Sequence, residues 1–303
     1  KDVVNFGIIS TESSQNLRSN WQPMLDDMSE ELGVEVKPFF ASDYAGVIQG
    51  MRFGKVDIAW YGNKSAMEAV DRANGQVIAS TAAADGSPGY WSLLIAHKDS
   101  PINSVEDMLK NAKELNFGNG DPNSTSGFLV PGYYVFAQNK VEPNKIFKRT
   151  LNSTHEVNAL SVANKQVDVA TFNTEGMERL QKTNPEKAAV LKEIWRSPLI
   201  PADPIVIRTT LDKEDQDKLK NFLLSYGSTD EEMKNLKNLD WGKFKPATND
   251  HLLPIRQLET FKKRASIEAD EKLSAEDKAA QLKAIDEELS ALDKRMKEIA
   301  SKS

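Results

Sequence analysis

Three consecutive hydroxyl residues, Ser124-Thr125-Ser126, stand behind the turn Gly118-Asn119-Gly120-Asp121-Pro122-Asn123 and ahead of an apolar run, residues 128–136, with the make-up of a helix. The residues before the turn, 115–118, read as a short apolar strand, so the local order is strand, turn, helix start. A helix leaves its first backbone N–H groups unpaired and carries the positive end of its dipole there. Hydroxyl donors added at that point complete a site for a small oxyanion. No Lys or Arg falls between Leu115 and Gln138, so this site would hold its anion with neutral dipoles and select it by geometry. Ser and Thr also cap helices for the helix's own sake, but three in a row behind a glycine-rich turn favour a ligand.

The elements that must position this loop alternate. Residues 3–9 read as a strand, and Leu17, Trp21, Met24, Leu25 and Met28 follow at helical spacing. Residues 34–40 and 56–60 read as further strands with a helix between them. Strand alternating with helix implies parallel pairing and crossover connections. Asn5-Phe6-Gly7 returns as Asn116-Phe117-Gly118, and Val56-Asp57-Ile58-Ala59 returns as Val167-Asp168-Val169-Ala170. In both copies the second motif comes roughly fifty residues after the first. This internal duplication predicts two similar α/β lobes whose strand ends face one another.

Ligands of open α/β sheets lie beyond the carboxyl ends of the strands, and a cleft between lobes is a favoured place for them. Besides the central loop, candidates are therefore Asp43-Tyr44, the loop Gly86-Ser87-Pro88-Gly89-Tyr90, Thr154-His155-Glu156, Asn173-Thr174-Glu175 and Ile200-Pro201-Ala202-Asp203-Pro204. The crossings between lobes are expected at Lys98-Asp99-Ser100-Pro101 and near Pro201 to Pro204. One lobe would then hold residues 1–98 plus 205–264 and the other residues 99–204.

The remaining composition narrows the function. A net charge of −6, from 39 basic and 45 acidic residues with no dense basic run, argues against nucleic acid. No apolar stretch approaches the ~20 residues that span a bilayer. Cys is absent and the three His, at 97, 155 and 251, show no metal-ligand spacing, so neither a metal nor another cofactor is expected. The absence of Cys suits an exported bacterial protein. The start at Lys1, with neither an initiator Met nor a signal-type segment, suits a processed or a trimmed chain.

From residue 265 the composition turns to Ala, Glu, Lys, Asp and Leu, and residues 265–303 form a helical extension. Ser274 to Asp277 fits a capping box, and Leu282, Ile285, Leu289, Leu292, Met296 and Ile299 alternate spacings of three and four. This heptad seam predicts a homodimer, with packing against the chain's own body as the alternative.

Asp43-Tyr44-Ala45-Gly46, Asp57-Ile58-Ala59-Trp60-Tyr61-Gly62, Asp85-Gly86-Ser87-Pro88-Gly89-Tyr90-Trp91 and Gly120-Asp121-Pro122-Asn123-Ser124-Thr125-Ser126-Gly127 together resemble the periplasmic phosphonate-binding proteins of ABC-type importers. These lie within the type II solute-binding proteins, and the resemblance covers nearly the whole chain. It implies a two-lobed Venus-flytrap α/β fold with hinge crossings, a periplasmic location for the mature form, and delivery of ligand to an ABC permease in the inner membrane. It also implies that Ser124, Thr125 and Ser126 cradle a phosphonate completed by Tyr44, Tyr90 and His155. Members selective for 2-aminoethylphosphonate place carboxylates at the amine end, which here correspond to Glu175 and Asp203. Two carboxylates around one ammonium suit a zwitterion, because charge-assisted hydrogen bonds are roughly twice as strong as neutral ones.

A receptor for phosphate, phosphite, an alkylphosphonate or a sulfonate is the alternative, which Glu175 and Asp203 disfavour by repelling a plain anion. A phosphonate-processing enzyme is a further alternative. It is disfavoured because no Cys, metal cluster or Ser-His-acid pattern is recognisable.

Overall fold

The structure, a computed structural model, describes residues 2–302. Strands β1 (Val3–Ile8), β2 (Glu35–Phe39), β3 (Ile58–Trp60) and β4 (Gly75–Ser80) begin one sheet. A ribbon strand β5 (Gly89–Tyr90) leads out of it to β6 (Ser92–His97), β7 (Asn116–Asn119), β8 (Arg149–Asn152), β9 (Val169–Asn173) and β10 (Leu191–Arg196) of a second sheet. The chain returns through β11 (Ile200–Pro201) to β12 (Pro204–Arg208) and β13 (Lys245–Pro246) of the first. The sheet orders are β13-β4-β12-β3-β1-β2 and β10-β6-β9-β7-β8, with β5 and β11 paired alone as the hinge ribbon.

The duplication has a structural counterpart. In the first sheet the Asn5 N–H donates to Asp57 Oδ2 at 2.8 Å and the Asp57 N–H to the Asn5 carbonyl at 2.9 Å. In the second the Asn116 N–H donates to Asp168 Oδ2 at 2.7 Å and the Asp168 N–H to the Asn116 carbonyl at 3.0 Å. The same clamp thus sets the register of β1 against β3 and of β7 against β9, both parallel.

Two expectations need correction. The sheets are mixed: β12 runs antiparallel to β3 and β4, and β6 antiparallel to β9 and β10. The cause is that β6 and β12 are the strands that enter each sheet straight from the ribbon. The first crossing accordingly falls at Gly89-Tyr90, ahead of the expected Lys98-Asp99-Ser100-Pro101. Residues 92–97, assigned above to the first lobe, belong to the second sheet, and the Lys98 N–H already bonds the Val190 carbonyl there.

Each sheet has its own core. In the first, Trp21 packs on Phe6, Trp60 and Trp241 with ring centres 5.2, 5.7 and 5.4 Å apart. In the second, Phe117 stacks on Phe147 at 4.5 Å. The segment after Ser-Thr-Ser is helical as expected, but its turns, Thr125–Leu129 and Gly132–Ala137, are π-wound: the Leu129 N–H reaches the Ser124 carbonyl five residues back. π-turns of this kind recur at functional sites. Leu129 and Val130 sit in the core of the first lobe, although the chain reaches them from the second sheet.

The C-terminal helices Leu253–Ala269 and Ala275–Lys302 form a hairpin. The heptad seam is the face of the second helix turned inward: Ile285 is buried and the other five seam residues are half-buried, while the residues between them are exposed. Arg264–Asp286 and Arg295–Asp250 ion pairs fix the hairpin. The seam therefore packs within the chain, which was the alternative, because the turn at 270–274 returns it to a helix of the same chain.

Asp57 is fully buried and also binds Arg208 at 2.8 Å, whereas Asp168 is exposed. Asp57→Ala, which removes a buried carboxylate from the half-buried Arg208 and from the Asn5 N–H, should cost about 3–5 kcal/mol. Asp168→Ala should cost about 1 kcal/mol. Denaturant midpoints of the two variants check the difference, and equal losses would contradict it.

Candidate ligand-binding site

The loop 119–127 closes on itself where the Gly120 N–H bonds the Gly127 carbonyl at 2.9 Å. A Cβ on Gly120 would lie 2.5 Å from that oxygen, and one on Gly127 would lie 2.7 Å from Ser124 Oγ, so both positions need glycine. The three hydroxyls behind this closure are buried. Ser124 Oγ accepts from the Gly127 N–H (2.9 Å), Thr125 Oγ1 from the Lys64 N–H of the other lobe (2.9 Å), and Ser126 Oγ from Asn173 Nδ2 (2.9 Å). Each oxygen is an acceptor in these bonds, and the Ser124 and Ser126 hydroxyls also reach the Tyr44 and Tyr90 hydroxyls.

Asn173 orients the far side. It caps the helix Thr174–Thr183 by accepting the Gly176 N–H at 2.6 Å, so its amide nitrogen must face Ser126 and, at 3.4 Å, His155 Nε2. That network assigns the imidazole proton to Nδ1, which makes no hydrogen bond among the described residues. Burial, assisted by Arg179, pushes the His155 pKa down to about 4, so the ring is neutral at neutral pH. Tyr44 begins the helix Tyr44–Arg52, which Asp43 caps. Its N–H crosses to Asp121 Oδ2 at 3.0 Å and its hydroxyl lies 3.5 Å from His155 Nε2. Burial raises the phenol pKa of both Tyr44 and Tyr90 and keeps them protonated donors.

Asp203 lies between β11 and β12. Its Oδ2 accepts the Trp60 indole N–H at 3.0 Å, and the Tyr90 hydroxyl lies beside the carboxyl, but Oδ1 has no well-formed hydrogen bond among the described residues. Glu175 stands in the first turn of the helix that Asn173 caps. Burial, and then for Asp203 the repulsion from Glu175, pushes both carboxyls above their ordinary range.

Tyr90, Ser124, Thr125, Ser126, His155, Glu175 and Asp203 line one cavity of about 50 Å³, room for a handful of heavy atoms. Tyr44 reaches it through His155. The structure thus brings seven of the eight side chains singled out in the sequence to this cavity and Tyr44 to its edge, with Tyr90 on the hinge ribbon and not in a lobe.

Glu12 and Arg179 also line the cavity and were not anticipated; Glu156, named in the sequence with its turn, lines it as well. Arg179 pairs with Glu12 across the lobes at 3.2 Å, and Glu156 accepts the Ser13 N–H (3.2 Å) and Asn16 Nδ2 (3.0 Å). The lack of basic residues around the hydroxyl loop gave no hint of Arg179, but its place one turn after Glu175 on the same helix could have. Glu12 could have been found as the counterpart, after β1, of the loop that follows β7.

A family model for the periplasmic substrate-binding protein of a phosphonate ABC transporter matches residues 6–252. The chain belongs to this phosphonate-binding family. It is 59% identical over 292 residues to the phosphonates-binding periplasmic protein of Escherichia coli K12, over 96% of this chain and 86% of that one. It superimposes with a TM-score of 0.97, at 67% identity and 99% coverage of both chains, on a binding-protein component of a phosphonate ABC transporter from Pseudomonas aeruginosa. A Prochlorococcus marinus protein solved with methylphosphonate matches at TM-score 0.76 and 25% identity, over 85% of this chain and 97% of that one. This member of the family is a periplasmic phosphonate-binding receptor of an ABC transporter, of type II fold, and not an enzyme.

The raised carboxyls make a pH prediction. The folded receptor holds these protons more tightly than the unfolded chain, so the stability they confer is full below the ordinary values of 3.8 and 4.5. It is lost as pH rises through the raised ones. Ligand-free receptor should therefore lose melting temperature over that rise more steeply than Glu175→Gln. Parallel melting profiles would show that the two carboxyls do not strain one another.

Proposed function

We propose that the receptor selects 2-aminoethylphosphonate, with Ser124, Thr125, Ser126, Tyr44, Tyr90 and His155 around the phosphonate and Glu175 and Asp203 around the ammonium. The observation that carries this reading is the pair of mutually repelling carboxyls, Asp203 buried and Glu175 half-buried, in the same small cavity as three hydroxyls. A buried carboxylate oxygen without a partner, Asp203 Oδ1, is costly until a cation supplies one. A ligand with an anionic head and a cationic tail satisfies both groups, and a neutral His155 adds a donor without adding charge.

Closing both lobes on that ligand would present the receptor to the membrane permease. The ligand drives closure only by its differential affinity for the closed state, and the Tyr44 contacts to Asp121 and His155 are the kind of cross-lobe bond that supplies it. The lobes divide, on this reading, at the ribbon of β5 and β11.

An alkylphosphonate receptor is the second reading, favoured by the methylphosphonate complex of the Prochlorococcus relative. Calorimetric titration of refolded, ligand-free receptor separates the two. 2-Aminoethylphosphonate should bind at least tenfold tighter than ethylphosphonate, phosphate or taurine, and Glu175→Gln or Asp203→Asn should each erase most of that margin. Equal binding of ethylphosphonate would establish the second reading.

A homodimer through the C-terminal hairpin is also proposed, because Leu282, Leu289, Leu292, Met296 and Ile299 keep part of their surface uncovered. Light scattering of the intact chain should give twice the chain mass of 33.7 kDa. The chain mass itself would rule the dimer out.

A further inference from the structure

Trp241 is 2% exposed, yet its indole N–H makes no hydrogen bond within the described residues. Buried donors are nearly always paired, so this one calls for a reason. The ring cannot turn to find a partner, because Trp21, Trp60 and Phe244 hold it with centres 5.4, 5.7 and 5.9 Å away. Glu175, across the cleft on the second lobe, shares a cavity wall with this indole and is close enough for the N–H to favour the ionised carboxylate.

Two further observations define the arrangement. Trp60 and Trp241 pack edge to face, and the Trp60 N–H already donates to Asp203. The two indoles therefore address the two carboxyls one each. Glu175 also lines a second cavity, of about 500 Å³, on its other side, with Trp241, Asp85, Glu178, Lys182 and Asp240 in its wall. Lys182, one of those wall residues, is paired with Asp240. Arg179 on Glu175's own helix attracts the Glu175 carboxylate, while Glu178, Asp240 and Asp203 repel it.

We propose that Trp241 is a positioning residue for amine selectivity: in the liganded receptor its indole N–H donates to Glu175 and holds that carboxylate in the ligand cavity and not in the larger one. The inference rests on the 2-aminoethylphosphonate reading above. Glu175 is thereby kept charged and aimed, while the fused rings bar the ligand from the larger cavity.

The test is Trp241→Phe, which keeps a packed ring and removes the donor. The readout is the ratio of ethylphosphonate to 2-aminoethylphosphonate Kd, followed by calorimetry against pH. That ratio should fall about tenfold at neutral pH, the effect of one hydrogen bond to a charged group. The pH below which amine preference disappears should also move upward, since loss of the donor raises the Glu175 pKa. In a Glu175→Gln background the same substitution should change the ratio less than about twofold. An unchanged ratio and pH profile, or an equal loss in the Glu175→Gln background, would overturn the proposal. A wild-type receptor with no amine preference would instead overturn the reading beneath it.

If Trp241→Phe binds neither ligand, the indole ¹⁵N–H spectrum of the wild type decides. One indole signal should shift as pH falls and on adding 2-aminoethylphosphonate, and should stop responding in Glu175→Gln. No signal with that dependence would overturn the proposal.

Discussion

The amide of Asn173 is the contact through which the rest of the cavity is ordered. Its oxygen is committed to the Gly176 N–H at the start of a helix, and that one bond decides which way the amide faces. The nitrogen must then donate to Ser126 Oγ and toward His155 Nε2. The serine is left as the acceptor there and the histidine with its proton on the other nitrogen. The capped helix carries Glu175 in its first turn and Arg179 one turn later. A single neutral side chain thus relates the hydroxyl loop, the imidazole and the acidic wall, with no net charge of its own to compete with a ligand's.

The two lobes meet through polar groups that are incomplete within either lobe alone. Thr125 Oγ1 needs the Lys64 N–H, Glu156 needs the start of the helix Ser14–Leu32, and Arg179 needs Glu12. The Thr125 bond and the Arg179 pair are shielded from most of the water, and the net contribution of one such bond is about 1 kcal/mol. The lobes are therefore held together by many small terms. A ligand that adds several hydrogen bonds to both sides can outweigh them, and its release can restore the open form.

Much of this was legible in the sequence because it is encoded locally. The duplication showed since the clamp of β1 on β3 needs an Asp side chain at a fixed separation from the backbone it grips, and the second lobe repeats that Asp. The cavity residues showed because they follow strands and precede helices, where capping chemistry and ligand chemistry use the same residue types. What the sequence hid depends on three-dimensional neighbours. The crossing at Gly89-Tyr90 was missed because the apolar run of β6 follows the ribbon without a break, while the later Pro101 looked like a better stop. The heptad seam was visible, but the identity of its partner was not, since periodicity names a face and not what covers it. Trp241 lies outside every motif and matters only because a packed aromatic cluster brings it to the cleft.

The π-wound segment that starts at Ser124-Thr125-Ser126 has a mechanical consequence. Its next turn plants Leu129 and Val130 in the first lobe's core, and Tyr133 stacks on Phe261 while Lys262 covers Phe128. Apolar contact of this kind joins the lobes along one margin, whereas Glu156, Arg179 and Glu12 join them through charged groups elsewhere on the cavity wall. Separating greasy surfaces exposes them to water at a cost that grows with area, and separating charged ones lets water solvate each partner. The molecule is hence built to gape from its charged rim, with the apolar margin serving as a spine. A reporter dye on that rim would travel farthest, and one beside Phe261 would scarcely move. The receptor comes with a natural place to convert occupancy into an optical signal.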